Sequence, residues 1–314
     1  MKETRKITEG ALMTGIYLLL LLVIIFIPAI ISVLFMFILP VPFVVYSYRY
    51  GFKSGIIVLI ASTLVSVIIG LAFALPTTLL MGLGGLFLGG TMHKKRSPYE
   101  TLAMGAVGFM IGFAAVFLIS QAFFGVNFTE QFNQIMDQSI SRAEGMLGTF
   151  GGSDAEDRLD QFKEQLQRLP DLIPSMLAML GVTFSFISQW LSYKLLNRVE
   201  KTKLQFPPFR ELNLPSSLLW YYLAALVFEL FIKNQEGMLY LAAVNVYTIT
   251  AFFLVLQGFS FIFQFAYMKK MSKAIPIIIL IVTLLIPTIL MELVRLLGII
   301  DLGFSLRKRV QGKK

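Results

Sequence analysis

The sequence has no cysteine, a single histidine and few charged residues for its length. Without cysteine, the chain can form neither a disulfide bond nor a thiolate metal site. The histidine, His93, is followed by Lys94, Lys95 and Arg96, whose positive charges disfavour a divalent cation, so we expect no metal site and no cofactor. Charged residues make up 14% of the 314 residues, whereas a soluble domain carries about 25%. This shortage of charge argues against a soluble protein.

The motifs that carry enzymatic chemistry are missing as well. The sequence has no phosphate-binding loop of the Walker type, no His-Glu-x-x-His helix and no serine elbow. Glu229 and Glu292 are the acidic residues that fall within apolar segments, and each has a basic residue one turn later, Lys233 and Arg295. Such spacing is typical of a helical ion pair with side chains that reach towards water. We therefore predict that the chain is not an enzyme.

Long uncharged runs dominate the sequence. The segments 10–48 and 54–92 contain no acidic or basic residue, and each is long enough for two helices that cross a membrane. The predicted spans are 10–28, 31–48, 54–72, 75–92, 101–124, 173–195, 216–232, 239–268 and 275–297. We predict an all-α, polytopic transmembrane helical bundle of eight or nine spans.

Basic residues indicate the orientation. The net charge is +9, and lysine and arginine cluster before the first span and in alternate connections, which by the positive-inside rule places the N terminus in the cytoplasm of a multi-pass cell-membrane protein. We assign these charges to the lipid bilayer surface and not to nucleic acid. Nine spans would leave the basic tail after Arg307 outside, so we favour an even number and a cytoplasmic tail. The segments around Pro40 and Pro287 are the uncertain spans.

The segment 125–171 separates two membrane parts. It carries nine acidic and four basic residues, and its apolar residues recur at helical spacing on both sides of the turn 151–153. This pattern predicts an extracellular amphipathic helical hairpin, which either lies on the bundle or at the outer membrane surface, or acts as a lid or partner-docking element over an outward-facing cavity. The predicted domains are the transmembrane bundle 1–124, the hairpin insertion 125–171, and the helices and basic tail 172–314.

Neutral polar residues in the outer halves of the spans are the candidate ligand-binding groups. Gln121, Thr77, Thr78 and Asn245 are placed to line an outward-facing pocket for a small molecule. The alternative is that such residues join neighbouring helices, because an amide in hydrocarbon needs a hydrogen-bond partner.

Glycines in the fourth and fifth spans predict close helix packing. The motifs Gly85-x-x-x-Gly89 and Gly108-x-x-x-Gly112 allow backbones to approach. We predict that these two spans form a tight pair.

Short motifs in the N-terminal third resemble the substrate-binding S components of energy-coupling factor transporters. They are Lys6–Gly15 (KITEGALMTG), Leu39–Pro42 (LPVP) and Tyr48–Gly55 (YRYGFKSG). The resemblance covers residues 6–124 and the span 173–195. It implies that Ala11 and Gly15 lie on the small-residue face that docks on an ATP-driven coupling module; the alternative is that they serve ordinary packing between helices of the chain.

The whole chain is similar to the YybS-like family of Firmicutes membrane proteins, a domain of unknown function. The segment Leu256-Gln257-Gly258 and the C-terminal stretch from Gly298 to Lys308 resemble that family's pattern, although Ser305 stands where a second acidic residue is expected. The hypothesis that follows is a substrate-capture subunit that binds a small solute from outside and relies on a separate energising module. The alternatives are a membrane scaffold that recruits cell-envelope proteins and a lipid-binding protein.

Overall fold

The computed structural model describes residues 2–68, 74–150, 155–232, 237–304 and 306–307. Within these ranges the chain folds into helices and connecting loops, without a β-strand. Among the described residues, six helical segments are long and apolar enough to cross a membrane: Glu3–Phe26, Ile31–Tyr50, Leu75–His93, Pro98–Phe124, Leu169–Val199 and Met238–Met268. The prediction of an all-α polytopic membrane protein is confirmed.

The helices follow one another along the chain, and the longest connection, residues 200–216, joins the ninth helix to the tenth. They are α1 (Lys2–Phe26), α2 (Ala29–Met36), α3 (Val41–Tyr50), α4 (Phe52–Ile68), α5 (Leu75–His93), α6 (Pro98–Phe124), α7 (Phe128–Phe150), α8 (Ala155–Gln167), α9 (Ile173–Val199), α10 (Ser217–Phe231), α11 (Met238–Met268), α12 (Ala274–Leu285) and α13 (Pro287–Phe304). They form two compact units. Unit 1 is Met1–Arg168 with Leu177–Gln205, and unit 2 is Leu169–Met176 with Phe206–Lys314. The three domains predicted from the sequence stay a prediction.

Unit 1 is built around α5, which packs against α3, α4 and α6. Most of α5 is buried, and its glycines permit this because they let neighbouring helices approach its backbone closely. The part of α9 in unit 1 is fastened to α6 by two side chains. Ser185 donates a hydrogen bond to the Leu102 carbonyl at 2.8 Å, and Gln189 donates to the Pro98 carbonyl at 3.0 Å. Polar side chains therefore join helices in this unit.

The glycine contacts of α5 and α6 differ partly from the prediction. These helices do form a tight pair, since a Cβ atom added to Gly108 would lie 2.9 Å from the Leu83 carbonyl oxygen. Gly85 and Gly89, however, face α3 and not α6. A Cβ atom on Gly89 would lie only 2.3 Å from the Val44 carbonyl oxygen. Both faces of α5 are therefore used, and Gly85 and Gly89 bring its backbone close to that of α3.

Two of the predicted spans are broken. The segment 31–48 consists of α2 and α3, which are separated at Pro40, and the segment 275–297 consists of α12 and α13, which are separated before Pro287. Proline lacks the amide hydrogen and clashes with the preceding turn, so a break at these positions follows from the sequence. The second predicted span nevertheless remains long enough to cross a membrane, as the segment Ile31–Tyr50.

Helices α7 and α8 correspond to the two predicted amphipathic helices. Lys163 of α8 forms an ion pair with Glu144 of α7 at 3.1 Å, which joins the two helices as a hairpin. The predicted turn 151–153 lies outside the described residues. The extracellular position of the hairpin stays a prediction.

Unit 2 consists mainly of α10, α11 and α13. Its apolar core contains Tyr222, Leu254 and Leu302. Gly258 of α11 and Gly298 of α13 bring the two helices into backbone contact, since a Cβ atom on either would lie 2.0 Å from a carbonyl oxygen of the other helix. This close approach places the polar residues of α11 and α13 next to one another.

Candidate functional site

The predicted pocket residues Thr77 and Thr78 lie at the start of α5 in unit 1. Thr78 is fully buried, accepts a hydrogen bond from the Tyr17 hydroxyl at 2.9 Å, and donates one to the Ala74 carbonyl at 2.9 Å. Thr77 is partly exposed. The Thr78 hydroxyl therefore joins α5 to α1, and its donor is already used within the chain.

Gln121 and Asn245 belong to different units. Gln121 is exposed near the end of α6 in unit 1. Asn245 is buried in α11 of unit 2, where its oxygen accepts from the Ser175 amide at 2.8 Å and its nitrogen donates to the Asp171 and Leu241 carbonyls at 2.7 and 2.8 Å. Ser175 is in the first turn of α9, where amide groups lack helical partners. Asn245 therefore caps another helical segment.

These contacts reduce the number of predicted pocket side chains whose polar groups can bind a solute. Thr78 and Asn245 have their hydrogen bonds satisfied by the chain itself, while Gln121 and Thr77 retain exposed surface. Thr77 and Thr78 are adjacent in sequence and occupy the same end of α5. The binding of a solute by these residues stays a prediction.

The predicted docking residues Ala11 and Gly15 lie on an uncovered face of α1. Ala11 is exposed, and a Cβ atom added to Gly15 would meet no atom within 4 Å. The opposite face of α1 is occupied, because Tyr17 and Leu21 are buried and an added Cβ on Gly10 would lie 3.3 Å from Tyr46. We call Ala11 and Gly15 the small-residue face.

A cluster of ion pairs lies at the N-terminal end of α1. Arg49 of α3 donates through Nη1 to Glu9 at 2.9 Å and through Nε to Glu200 at 2.6 Å, and Arg5 donates to the other Glu9 oxygen at 2.9 Å. We call these four residues the Arg49 cluster. Arg49 and both glutamates are mostly buried, which strengthens their attraction relative to an exposed pair. The cluster therefore ties α1, α3 and the end of α9 together.

An open cavity of about 730 Å³ adjoins the Arg49 cluster. Its lining adds Tyr50, Tyr48, Met92, His93, Lys95 and Val199 to the four residues of the cluster. The His93 Nδ1 atom lies 2.7 Å from the Tyr48 carbonyl oxygen, which fixes the imidazole over Gly51. Gly51 has a φ of +80°, a conformation that glycine adopts without strain. The cavity thus has fixed aromatic and basic walls.

The comparisons with known proteins bear on the whole chain. The model of the family described as "Predicted membrane protein (DUF2232)" matches residues 15–302. The chain belongs to the DUF2232 family. It is 31% identical to the "Uncharacterized protein YybS" of Bacillus subtilis (strain 168) over 317 residues, which cover 99% of this chain and 100% of that relative. No solved structure matches.

The family match confirms the YybS-like membrane protein that the sequence predicted. This DUF2232 chain is a multi-pass membrane protein with several apolar helices. The likeness to S components, the transport role and the cytoplasmic N terminus stay predictions.

A second polar group in this DUF2232 chain lies in unit 2 and includes a charge that the sequence analysis did not select. Asp301 of α13 is buried, and its Oδ2 atom accepts from Gln257 at 2.6 Å and from Arg307 at 2.8 Å. Arg307 also donates to the Arg210 carbonyl and to Ser260. We call Gln257, Ser260, Asp301 and Arg307 the Asp301 network. Within this network, the Oδ1 atom of Asp301 has no hydrogen-bond partner among the described residues.

In the sequence, Asp301 belongs to the C-terminal stretch that resembles the family but not to the candidate site residues, because it follows the predicted end of the last span at 297. The signal was present, since both Gln257 and Asp301 lie in the segments that carried the family resemblance.

Glu229 and Glu292 are the acidic residues for which the sequence predicts helical ion pairs. Glu292 pairs with Arg295 as predicted, and the Arg295 guanidinium lies over the rings of Tyr222 and Tyr247 at 5.7 and 5.6 Å. Lys233, the predicted partner of Glu229, lies outside the described residues.

Proposed function

We propose that this chain is a membrane subunit that captures a small solute and acts through a separate, energising partner protein docked on α1. It performs no covalent chemistry of its own. The observation that carries the proposal is the open small-residue face of α1, where Ala11 is exposed and an added Cβ on Gly15 meets nothing within 4 Å. Small residues allow another helix to approach closely, which supports a helical partner.

The open face argues against the alternative use of these residues in internal packing. Of the three small residues in this stretch, Gly10 is packed against Tyr46 and Val58, but Gly15 has no such neighbour. Larger apolar residues occupy the adjacent exposed positions, Leu12 and Ile16. The contrast supports a specific partner at Ala11 and Gly15 and lipid at Leu12 and Ile16.

The Arg49 cluster supports the same interpretation, because it holds the base of α1 in a fixed position. Glu9 lies on α1 less than one turn before Ala11 and is bound by both Arg5 and Arg49. A helix fixed at this point presents its small-residue face to a partner without first having to be ordered, which lowers the cost of association.

The solute side of the proposal rests on fewer residues. Gln121 is exposed and Thr77 is partly exposed, whereas Thr78 and Asn245 are used in contacts within the chain. We therefore assign recognition of a small polar solute first to Gln121 and Thr77.

Co-purification from native membranes tests the proposal. The variants Ala11→Trp and Gly15→Trp should abolish recovery of an ATP-binding module in mild detergent, because an indole ring occupies the space the partner needs. Leu12→Trp and Ile16→Trp are the matched controls and should leave recovery unchanged. Mass spectrometry of the same samples should detect a retained small molecule. Equal recovery with all four variants would contradict docking at this face.

A membrane scaffold is the second candidate, and the α7–α8 hairpin favours it. The hairpin is amphipathic, held by the Glu144–Lys163 ion pair, and exposes large apolar side chains such as Ile135. Under this alternative, envelope proteins bind the hairpin and no ATPase is recovered. Deletion of residues 128–168 would then abolish their capture, while Gly15→Trp would have no effect.

A further inference from the structure

The cavity beside the Arg49 cluster has the composition of a site for a phosphate group. We propose that it binds a phosphate-bearing ligand, either the headgroup of an anionic phospholipid or a soluble phosphate ester, with Arg5, Arg49 and Lys95 as the basic groups. The proposal is independent of the partner-docking function, since it concerns a ligand at the end of the helices and not the face of α1.

The carboxylates in the cavity wall are neutralised within the protein. Glu9 is paired with both Arg5 and Arg49, and Glu200 is paired with Arg49. They therefore orient the basic groups rather than simply repelling an anion. A partly buried arginine that is held by carboxylates through two of its nitrogens has little rotational freedom left to lose on binding a ligand.

Several donors in the cavity are left over. Arg49 uses Nε and Nη1 in its ion pairs, and Nη2 makes no hydrogen bond to any residue that the structure describes. Arg5 uses Nε, and its side chain is 78% exposed. Lys95 lines the cavity and forms no ion pair within the described part of the chain. These groups are available to donate hydrogen bonds to phosphate oxygen atoms in the cavity.

The turn that ends α5 determines where Lys95 lies. Lys95 has a φ of +54°, and the Arg96 amide donates to the Thr91 carbonyl, which is a common way for a helix to end. Lys201 and Lys270 have the same conformation after their own helices. The turn places Lys95 at the cavity wall.

The charge balance fits a phosphodiester. Three basic residues, Arg5, Arg49 and Lys95, face two carboxylates, Glu9 and Glu200, which leaves one positive charge when His93 is neutral. A phosphodiester carries one negative charge. The apolar side chains of Met92 and Val199 in the same wall suit the carbon atoms attached to it.

The position of the cavity is also that of a lipid headgroup. It lies at the start of α1 and at the C-terminal ends of α3, α5 and α9, among basic residues that include Lys94 and Arg96. Phosphate groups of a bilayer lie at the ends of membrane-spanning helices, and basic pockets there bind anionic lipids.

Binding by the purified, full-length protein tests the inference. Native mass spectrometry is run with phosphatidylglycerol and with diacylglycerol, which lacks the phosphate, and a thermal-shift assay is run with sn-glycerol 3-phosphate and with inorganic phosphate. Lys95→Gln should weaken phosphate-dependent binding roughly tenfold, because it removes one charged donor. Lys94→Gln, which removes the same charge from the neighbouring exposed position outside the cavity, is the matched control. Arg5→Gln is a second test variant, should Lys95→Gln fold poorly.

The outcomes separate the two sources and the failure of the inference. Selective retention of phosphatidylglycerol that Lys95→Gln weakens assigns a lipid headgroup. Stabilisation by glycerol 3-phosphate or phosphate that the same variant abolishes assigns a soluble phosphate compound. Absence of phosphate-dependent binding in the unaltered protein, or equal losses in Lys94→Gln and Lys95→Gln, would overturn the inference.

Discussion

Arg49 connects two carboxylates that are far apart in the chain, since its Nη1 atom lies 2.9 Å from Glu9 and its Nε atom lies 2.6 Å from Glu200. One side chain of α3 thereby fixes both the start of α1 and the end of α9. Because the three side chains are partly buried, the loss of the arginine would leave two carboxylates without this partner in a site of reduced exposure. The arrangement makes Arg49 the central residue of the charged end of unit 1.

The first prediction concerns the stability that Arg49 provides. Arg49→Gln should lower the free energy of unfolding by about 2 kcal/mol, because it leaves Glu9 and Glu200 partly buried and unpaired. Arg96→Gln is the control, since the Arg96–Glu100 pair is exposed and 4.0 Å long, and such pairs contribute about 0.5 kcal/mol or less. Denaturant unfolding in detergent measures both. Similar losses in the two variants would show that Arg49 is no more than a surface charge.

A second prediction uses two glycines with opposite surroundings. Gly89→Ala should destabilise the protein by about 2 kcal/mol, because the new Cβ atom would collide with the Val44 backbone. Gly15→Ala should be neutral or stabilising by up to about 1 kcal/mol, because it gains helix propensity in open space. Thermal unfolding of the two variants and the parent protein measures both changes in stability. A destabilising Gly15→Ala would mean that the small-residue face is packed within the chain.

The third prediction separates a structural amide from an exposed one. Asn245→Ala should cost about 1 to 3 kcal/mol of stability, since the Ser175 amide loses its acceptor. Gln121→Ala should leave stability unchanged because its side chain is exposed. If both variants unfold like the parent protein, Asn245 does not cap α9. Solute retention can be measured on the same samples, and only Gln121→Ala should reduce it without a loss of stability.

A fourth prediction addresses the buried charge of unit 2. Asp301→Asn should destabilise the protein by about 2 kcal/mol, because Arg307 loses its counter-charge in a largely buried network. Glu292→Gln should have an effect below about 1 kcal/mol, since the Glu292 side chain is 55% exposed. Unfolding curves of the two variants provide the comparison. An Asp301→Asn variant as stable as the parent protein would contradict a stabilising role of the Asp301 network.

The course of the helices could be predicted from the sequence because each depends on local composition. Uncharged runs located α1, α5, α6, α9 and α11, and proline located the breaks at Pro40 and Pro287. Helical periodicity located α7 and α8. The partners of each helix could not be predicted, as Gly85 and Gly89 illustrate: their spacing indicates a close contact but not whether α3 or α6 makes it.

The candidate site was predictable only in part for a related reason. A polar side chain in an apolar helix needs a hydrogen-bond partner, but the sequence does not say whether a solute or a neighbouring helix provides it. Asn245 and Thr78 form their hydrogen bonds with other residues of the chain. Arg49, Glu9 and Glu200 are brought together only by the fold, so their spacing in the sequence carried no signal.

The measurement that tests the central claim most directly is photocrosslinking in native membranes from a photoreactive residue placed at Gly15, with Ile16 as the neighbouring control. Docking on the small-residue face predicts a protein adduct of defined mass at position 15, sensitive to Ala11→Trp, and lipid adducts alone at position 16. Lipid adducts alone at both positions would contradict a partner on α1.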